Sequence, residues 1–136
     1  MYDQDETVEQ LVKGYKEENG VLSCIHCTAT FAVHEVFPVH EKWLNAHGMM
    51  EQHIAEVHTS PFHALLTLDA KVNGLSDVQR EMLKLFYAHQ TDKEIVEQSS
   101  VNSISTVRQH RFKLREKERQ AKMLVALMQL LKDPTH

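Results

Sequence analysis

"VLSCIHCTATF", residues 21–31, holds the only two cysteines of the chain, Cys24 and Cys27. A disulfide would merely staple a loop, whereas half of a metal site demands two more ligands and so dictates a neighbour. The Val- and Phe-rich segments on either side, "VLSC" and "TFAVHEVFPV", predict two strands flanking a tight turn. Two thiolates on one turn supply half of a tetrahedral zinc set. The best remaining pair is His53 and His58, near the end of a predicted helix, "EKWLNAHGMMEQHIAEVH" (residues 41–58). Residues five apart point roughly 140° from each other on an ideal helix. The last turn therefore distorts, or His58 lies just past the helix end that Pro61 favours.

The order of strand, turn, strand and helix with two His is similar to a two-Cys two-His zinc finger. Here 25 residues separate Cys27 from His53, against the usual ~12. The chain has 10 His, so His26, His40 and His47 remain rival ligands, with His34 and His63 weaker ones. If Cys24, Cys27, His53 and His58 close the site, no position stays open for water, which describes structural rather than catalytic Zn2+. A region of about 60 residues has little core of its own, so the metal contributes much of its folding free energy.

Outward from the cysteines, Val8, Leu11, Val12 and Tyr15 recur at helical spacing and predict a helix over 4–16. Pro38 ends the second strand or sits at its edge. On the helix 41–58, Trp43, Leu44, Met50, Ile54 and Val57 form the expected apolar side. A short helix over 62–72 carries Leu65, Leu66 and Leu68. "NGLSD" (73–77) reads as a turn and a helix start, with Gly74 in the turn and Ser76 or Asp77 as the cap. Three helical patterns follow: "DVQREMLKLFYA", "DKEIVEQ" and a long "SISTVRQHRFKLREKERQAKMLVALMQLLK" that is either one helix or two broken near Lys117. The domains implied are 1–72, a zinc-finger-like module with flanking helices, and 73–136, a helical domain.

The charge is uneven. Residues 1–105 carry 7 Lys/Arg and 16 Asp/Glu, a balance of −9, and residues 106–136 carry 8 and 3, a balance of +5; together these give the net −4. A basic tail on an acidic body points to an anionic partner for the tail. No apolar run approaches the ~18 residues of a membrane span, and the acidic start "MYDQDETVEQ" is no secretory signal. A cytoplasmic setting is expected, where a lone Cys pair binds metal more often than it forms a disulfide. No nucleophile–base pair, phosphate loop or His-Glu-x-x-His motif is present, so neither an enzyme nor a small-molecule substrate is expected.

On a helix starting near Ser105, Val107, His110, Arg111 and Leu114 share one side, and Ser105, Arg108, Gln109, Phe112 and Lys113 the other. Val107 and Leu114 seek the core, so the second set faces out. Arg pairs with guanine and Gln with adenine in the major groove. Thr106 suits a phosphate contact near the helix start, and Arg111 adds backbone charge. Residues 74–131 also resemble the helix-turn-helix of LuxR/GerE-type transcription regulators. The resemblance rests on Leu75, Ser76, Glu81 and Leu83, on Lys93, Glu94, Ile95 and Val96, and on Ser105, Thr106, Val107, Arg108, His110 and Leu114. With the cysteine module added, the whole chain is similar to uncharacterised bacterial regulators that join a zinc-finger-like part to such a motif. Two departures stand out: Ala88-His89-Gln90 where the family has a Gly between its first two helices, and Ser99-Ser100 where it has Leu-Gly.

The fold class expected is therefore mainly α: a small ββα zinc-knuckle module followed by a helix-turn-helix bundle. The function expected is a sequence-specific, DNA-binding transcription regulator with a structural zinc, double-stranded DNA as partner and no membrane. The apolar "QAKMLVALMQLLK" predicts a homodimer, one stripe packing on the domain and another on a second copy. Two other functions fit the same residues: a protein-interaction adaptor with a degenerate helix-turn-helix, or a redox sensor that loses zinc when the thiols oxidise.

Overall fold

The computed structural model describes residues 5–135; residue 4, where the sequence reading begins its first helix, lies outside them. The chain divides between Gly74 and Leu75 into two compact units. In the first, α1 (Val8–Lys13) opens with a capping box: the Gln10 amide donates to Thr7 Oγ1 and the Thr7 amide to Gln10 Oε1. It stops at Gly14, which takes a left-handed φ of 88°. The expected helix is thus shorter, and Tyr15 belongs instead to a strand. β1 (Tyr15–Glu18) turns through Asn19 and Gly20, both at positive φ, into β2 (Val21–Cys24), which pairs with β3 (Thr30–Ala32). Paired left-handed residues match the right-handed twist of a two-residue hairpin. The three strands form one antiparallel sheet in the order β1-β2-β3.

The predicted strand 30–39 splits, because the chain turns at Val33 and His34 and starts a second hairpin. β4 (Val36–Val39) pairs with β5 (Lys42–Asn45), setting Pro38 opposite Trp43 and Phe37 opposite Leu44. Trp43 and Leu44 therefore lie on a strand and not on the helix expected from residue 41. The cause is Asn45, whose side chain accepts from the Gly48 amide at 2.8 Å and so fixes the start of α2 (Ala46–Val57). α2 buries Ala46, Met50 and Ile54, one turn apart, while Trp43 and Val57 stay 70% and 62% exposed. The expected helix 62–72 is two short ones, α3 (Pro61–Leu66) and α4 (Ala70–Asn73), because Asp69 caps a new start. Asn73 Nδ2 donates to the carbonyls of Leu65, Leu66 and Leu68 and holds the pair together.

The core of this unit is small: Leu22, Cys24, Ala46, Met50 and Ile54, flanked by Tyr15, Cys27, Ala29 and Phe31. Gly14 joins its parts. The Gly14 carbonyl accepts from the Ile25 amide at 3.1 Å, and a Cβ here would lie 3.0 Å from Ile54 Cδ1.

The second unit is three helices, α5 (Asp77–Tyr87), α6 (Asp92–Gln98) and α7 (Ile104–Lys132). Ser76 with Gln79 and Thr91 with Glu94 form capping boxes, and Ser103 caps α7. Met82, Ile95, Val101 and Val107 make its core, with Leu85, Phe86 and Val96 against it. His89 supplies the left-handed residue between α5 and α6, at φ 58°. Ser99 is extended rather than left-handed; its Oγ accepts from the Val101 amide, and Ser100 donates from its amide and its hydroxyl to Glu81 Oε1. α7 runs unbroken through Lys117, one helix and not two, and no residue from Lys117 to Lys132 is buried. Its end therefore packs neither stripe on this unit.

Because Gly14 combines positive φ with a close approach, Gly14→Ala should destabilise the first unit by about 1–3 kcal/mol. Hydrogen exchange should then find α2 amides less protected. Unchanged protection would show that the chain relaxes at this point without strain.

Candidate functional site

β2 delivers Cys24 into the core, 3% exposed, and the chain then tightens into the turn that carries Cys27. The Cys24 amide donates to the Ala29 carbonyl at 3.0 Å, closing that turn. The His26 amide points at Cys24 Sγ, 3.4 Å away. α2 presents His53 one residue before buried Ile54. His58 is the residue that ends α2, at φ −113° and ψ 2°. Leaving helical geometry there lets its ring swing back towards His53, with ring centroids 5.1 Å apart. The spacing of five, awkward on a continuous helix, is thereby accommodated.

The four side chains converge. Cys24 Sγ lies 3.5 Å from His58 Nε2 and Cys27 Sγ 3.1 Å from His53 Nε2. One ligand atom from each of Cys24, Cys27, His53 and His58 lies within 4.8 Å of all the others. Ligand bonds of about 2.3 Å to sulfur and 2.0 Å to nitrogen in a tetrahedron set S and N about 3.5 Å apart. The cluster has that size, so it could hold a metal ion. Burial pushes the Cys24 thiol up, against the opposing pull of the His26 amide. Burial and then the neighbouring His53 push His58 down, which favours the neutral ring that ligation needs.

The rival histidines stand elsewhere. His34 and His47 lie 3.8 Å from Glu35 and Glu17, and His63 Nδ1 is 2.7 Å from Ser60 Oγ. His40 occupies the left-handed turn between β4 and β5. His26 comes nearest, its ring 5.6 Å from that of His58, but its Nε2 is buried without a hydrogen-bond partner and does not join the four. Burial, followed by His58, pushes its pKa down. His26, Cys27, Thr28 and His58 also line a surface cavity of about 380 Å³.

A second set of residues lies on α7. Ser105, Arg108, Gln109, Phe112 and Lys113 are all exposed, and Val107 is fully buried on the other side. Thr106 is half-buried and its hydroxyl lies 2.8 Å from the capping Ser103 hydroxyl. Arg111 is committed inside the unit: Nε and Nη2 donate to Asp92 Oδ1 at 3.2 and 3.0 Å, and the guanidinium sits 3.9 Å from the centre of the Phe86 ring. Arg108 leans towards the same carboxylate, Nε to Oδ2 3.7 Å, with its side chain 75% exposed. Asp92 and Phe86, the partners of Arg111, carry no periodic signal that would have linked them to it in the sequence. No protein-family model, no curated protein and no solved structure matches the chain. Among the described residues no helix is long and apolar enough to cross a membrane.

Metal titrated into chelator-stripped protein should bind the unmodified chain, fail in Cys24→Ser and His53→Ala, and survive His26→Ala and His47→Ala. Affinity should fall as pH falls, because the metal must displace thiol protons; the raised Cys24 pKa brings that competition in at higher pH than for an ordinary thiol. Arg111→Ala should cost the second unit about 1 kcal/mol, a value held down by solvent screening of the partly exposed pair. A denaturation midpoint that does not move would show that the pair adds nothing measurable.

Proposed function

We propose that the chain is a sequence-specific DNA-binding regulator whose first unit is held together by a structural zinc ion. The observation that carries this reading is the exposed face of α7. Ser105, Arg108, Gln109 and Phe112 stand at i, i+3, i+4 and i+7 and so share one stripe, opposite buried Val107. A short helix, a turn and a second helix that offers such a stripe is the arrangement by which helix-turn-helix proteins enter the major groove. Arg108 suits guanine O6 and N7, Gln109 adenine N6 and N7, and Phe112 a thymine methyl. Lys113 and the basic residues beyond it suit phosphates. Arg111, bound to Asp92, serves the fold in this reading and holds α7 against α6.

The two departures from the LuxR/GerE pattern are compatible with this role. His89 adopts a left-handed conformation in the stretch where the family pattern carries a Gly; His is among the non-Gly residues enriched in that conformation. Ser99-Ser100 replaces an apolar contact and a glycine turn with hydrogen bonds to Val101 and Glu81. Zinc is the metal that best suits two thiolates and two imidazoles closed around one point. Cys24, Cys27, His53 and His58 would hold it, with no position left for a reacting water. Its binding free energy would tie the β2 turn to the end of α2. A second reading, a thiol-based sensor, draws on Cys27, which is only half-buried and lines the surface cavity.

Selection from a random pool of double-stranded DNA should enrich a defined sequence, with about one zinc per purified chain. Arg108→Ala and Gln109→Ala should each relax the preference at one position, at about 1–3 kcal/mol if the contact is bidentate. Replacing a contacted thymine by deoxyuridine should weaken the unmodified protein and leave Phe112→Ala indifferent. Absence of any enrichment at low salt would reject the DNA reading in favour of an adaptor. Loss of binding on peroxide treatment, restored by thiol and zinc, would favour the sensor.

A further inference from the structure

α7 carries two kinds of surface on one rod. It has no Gly or Pro between Ile104 and Lys132 and no break. Its first half is anchored by Val107, fully buried, and Leu114, partly buried. Its second half touches nothing that covers it: Met123, Leu124, Val125, Leu127, Met128, Leu130 and Leu131 are 44–64% exposed. At about 100° per residue these side chains and Ala121 fill one arc of about 220°, with Lys122 and Gln129 opposite. An isolated helical end of this length is marginal in water, and so large an apolar patch marks an interaction surface.

We propose that a second copy of this chain covers this arc, and that the unbroken helix locks the dimer seam in phase with the exposed stripe of Ser105, Arg108, Gln109 and Phe112. The identity of the partner follows from the spacing. Val107, Leu114, Ala121 and Met128 recur every seven residues, and Leu124 and Leu131 fall at the intermediate positions. This is the period of a helix that pairs with another helix of the same pitch. The first two members of the row are used inside the unit, and the last two continue it into solvent. The only charge within the arc is Lys132, in the last turn of the helix, so two identical faces meet with little repulsion and satisfy a two-fold interface. Complete burial of the seven large apolar side chains, at roughly 100 Å² each, would give at most about 1,400 Å² for two copies, within reach of a stable interface. Two flexibly joined helices could re-aim after pairing; one rod cannot. The spacing of half-sites is then set by the number of residues between Leu114 and Leu124. This second claim rests on the DNA reading proposed above, whereas the pairing itself does not.

The test uses the full chain. Light scattering should give a dimer at micromolar concentration, and Leu124→Glu with Leu131→Glu should give a monomer whose hydrogen-exchange protection in α5 and α6 is unchanged. One Ala inserted between Arg119 and Gln120 should leave the dimer intact, rotate the seam by about 100° against the exposed stripe, and weaken binding to the selected palindrome at least tenfold. A seven-residue insertion restores the phase but lengthens the rod by about 10 Å, so that variant should bind palindromes of altered half-site spacing with most of the original affinity, and all three proteins should bind a single half-site alike. A monomer at high micromolar concentration, or a dimer unaffected by the two Glu substitutions, overturns the pairing. A dimer whose palindrome affinity ignores the one-residue insertion overturns the phase lock. A dimer that selects no DNA keeps the pairing and removes the DNA reading on which the phase claim rests.

Discussion

The first unit depends on one constraint: two thiols from a tight turn and two imidazoles from the end of a helix must meet at a single point. Four large side chains, Leu22, Ile25, Met50 and Ile54, are buried there to 3% exposure or less, which is thin for a stretch of some 70 residues. Cys24, Cys27, His53 and His58 stand together at the edge of this core, where a metal ion could join the turn to the helix end. The surrounding geometry serves that meeting. Gly14 is bare so that Ile54 can come close beneath the turn, Asn45 sets where α2 begins, and the helix gives way at His58. A change at any of these moves a ligand without touching it.

The second unit is organised by opposite means. Its helices start at hydroxyl caps, and the turn after α6 uses side-chain hydrogen bonds where glycine would be the simpler choice. Asp92 shows how fold and surface are separated along α7. Its carboxylate takes the guanidinium of Arg111 completely and that of Arg108 loosely, so two arginines one turn apart acquire different duties. The one stacked on Phe86 ties α7 to the start of α6 and to α5. The other keeps most of its side chain in solvent, and an anion outside the molecule has only a long ion pair to displace.

Much of this was legible in the sequence because the signals were local. Cys24 and Cys27 have two residues between them, His53 and His58 stand near the end of a helical pattern, and Ser76 precedes another. β1 was hidden because Tyr15–Glu18 is charged and faces solvent along half its length, although Asn19-Gly20 is a strong hairpin signal. Trp43 and Leu44 were misassigned because an apolar pair next to a helix fits either period; the Asn45 cap and the pairing to Pro38 and Phe37 decide it. The Arg111–Asp92–Phe86 contact spans 19 and 25 positions and leaves no periodic trace.

The continuity of α7 was the least legible feature, and it has the widest consequence. "KLREKERQ" looks like a place to break, because charge there follows no face and apolar spacing lapses between Leu114 and Ala121. Helical propensity runs the other way: Lys, Leu, Arg, Glu and Gln are all strong helix formers and none of them breaks the chain. A segment with no apolar stripe stays helical when both ends are helical, since each added residue costs little once the nucleus exists. The lapse in the pattern therefore marks the passage of the helix out of its own unit into solvent, and apolar residues that resume beyond such a passage have no core of their own to face.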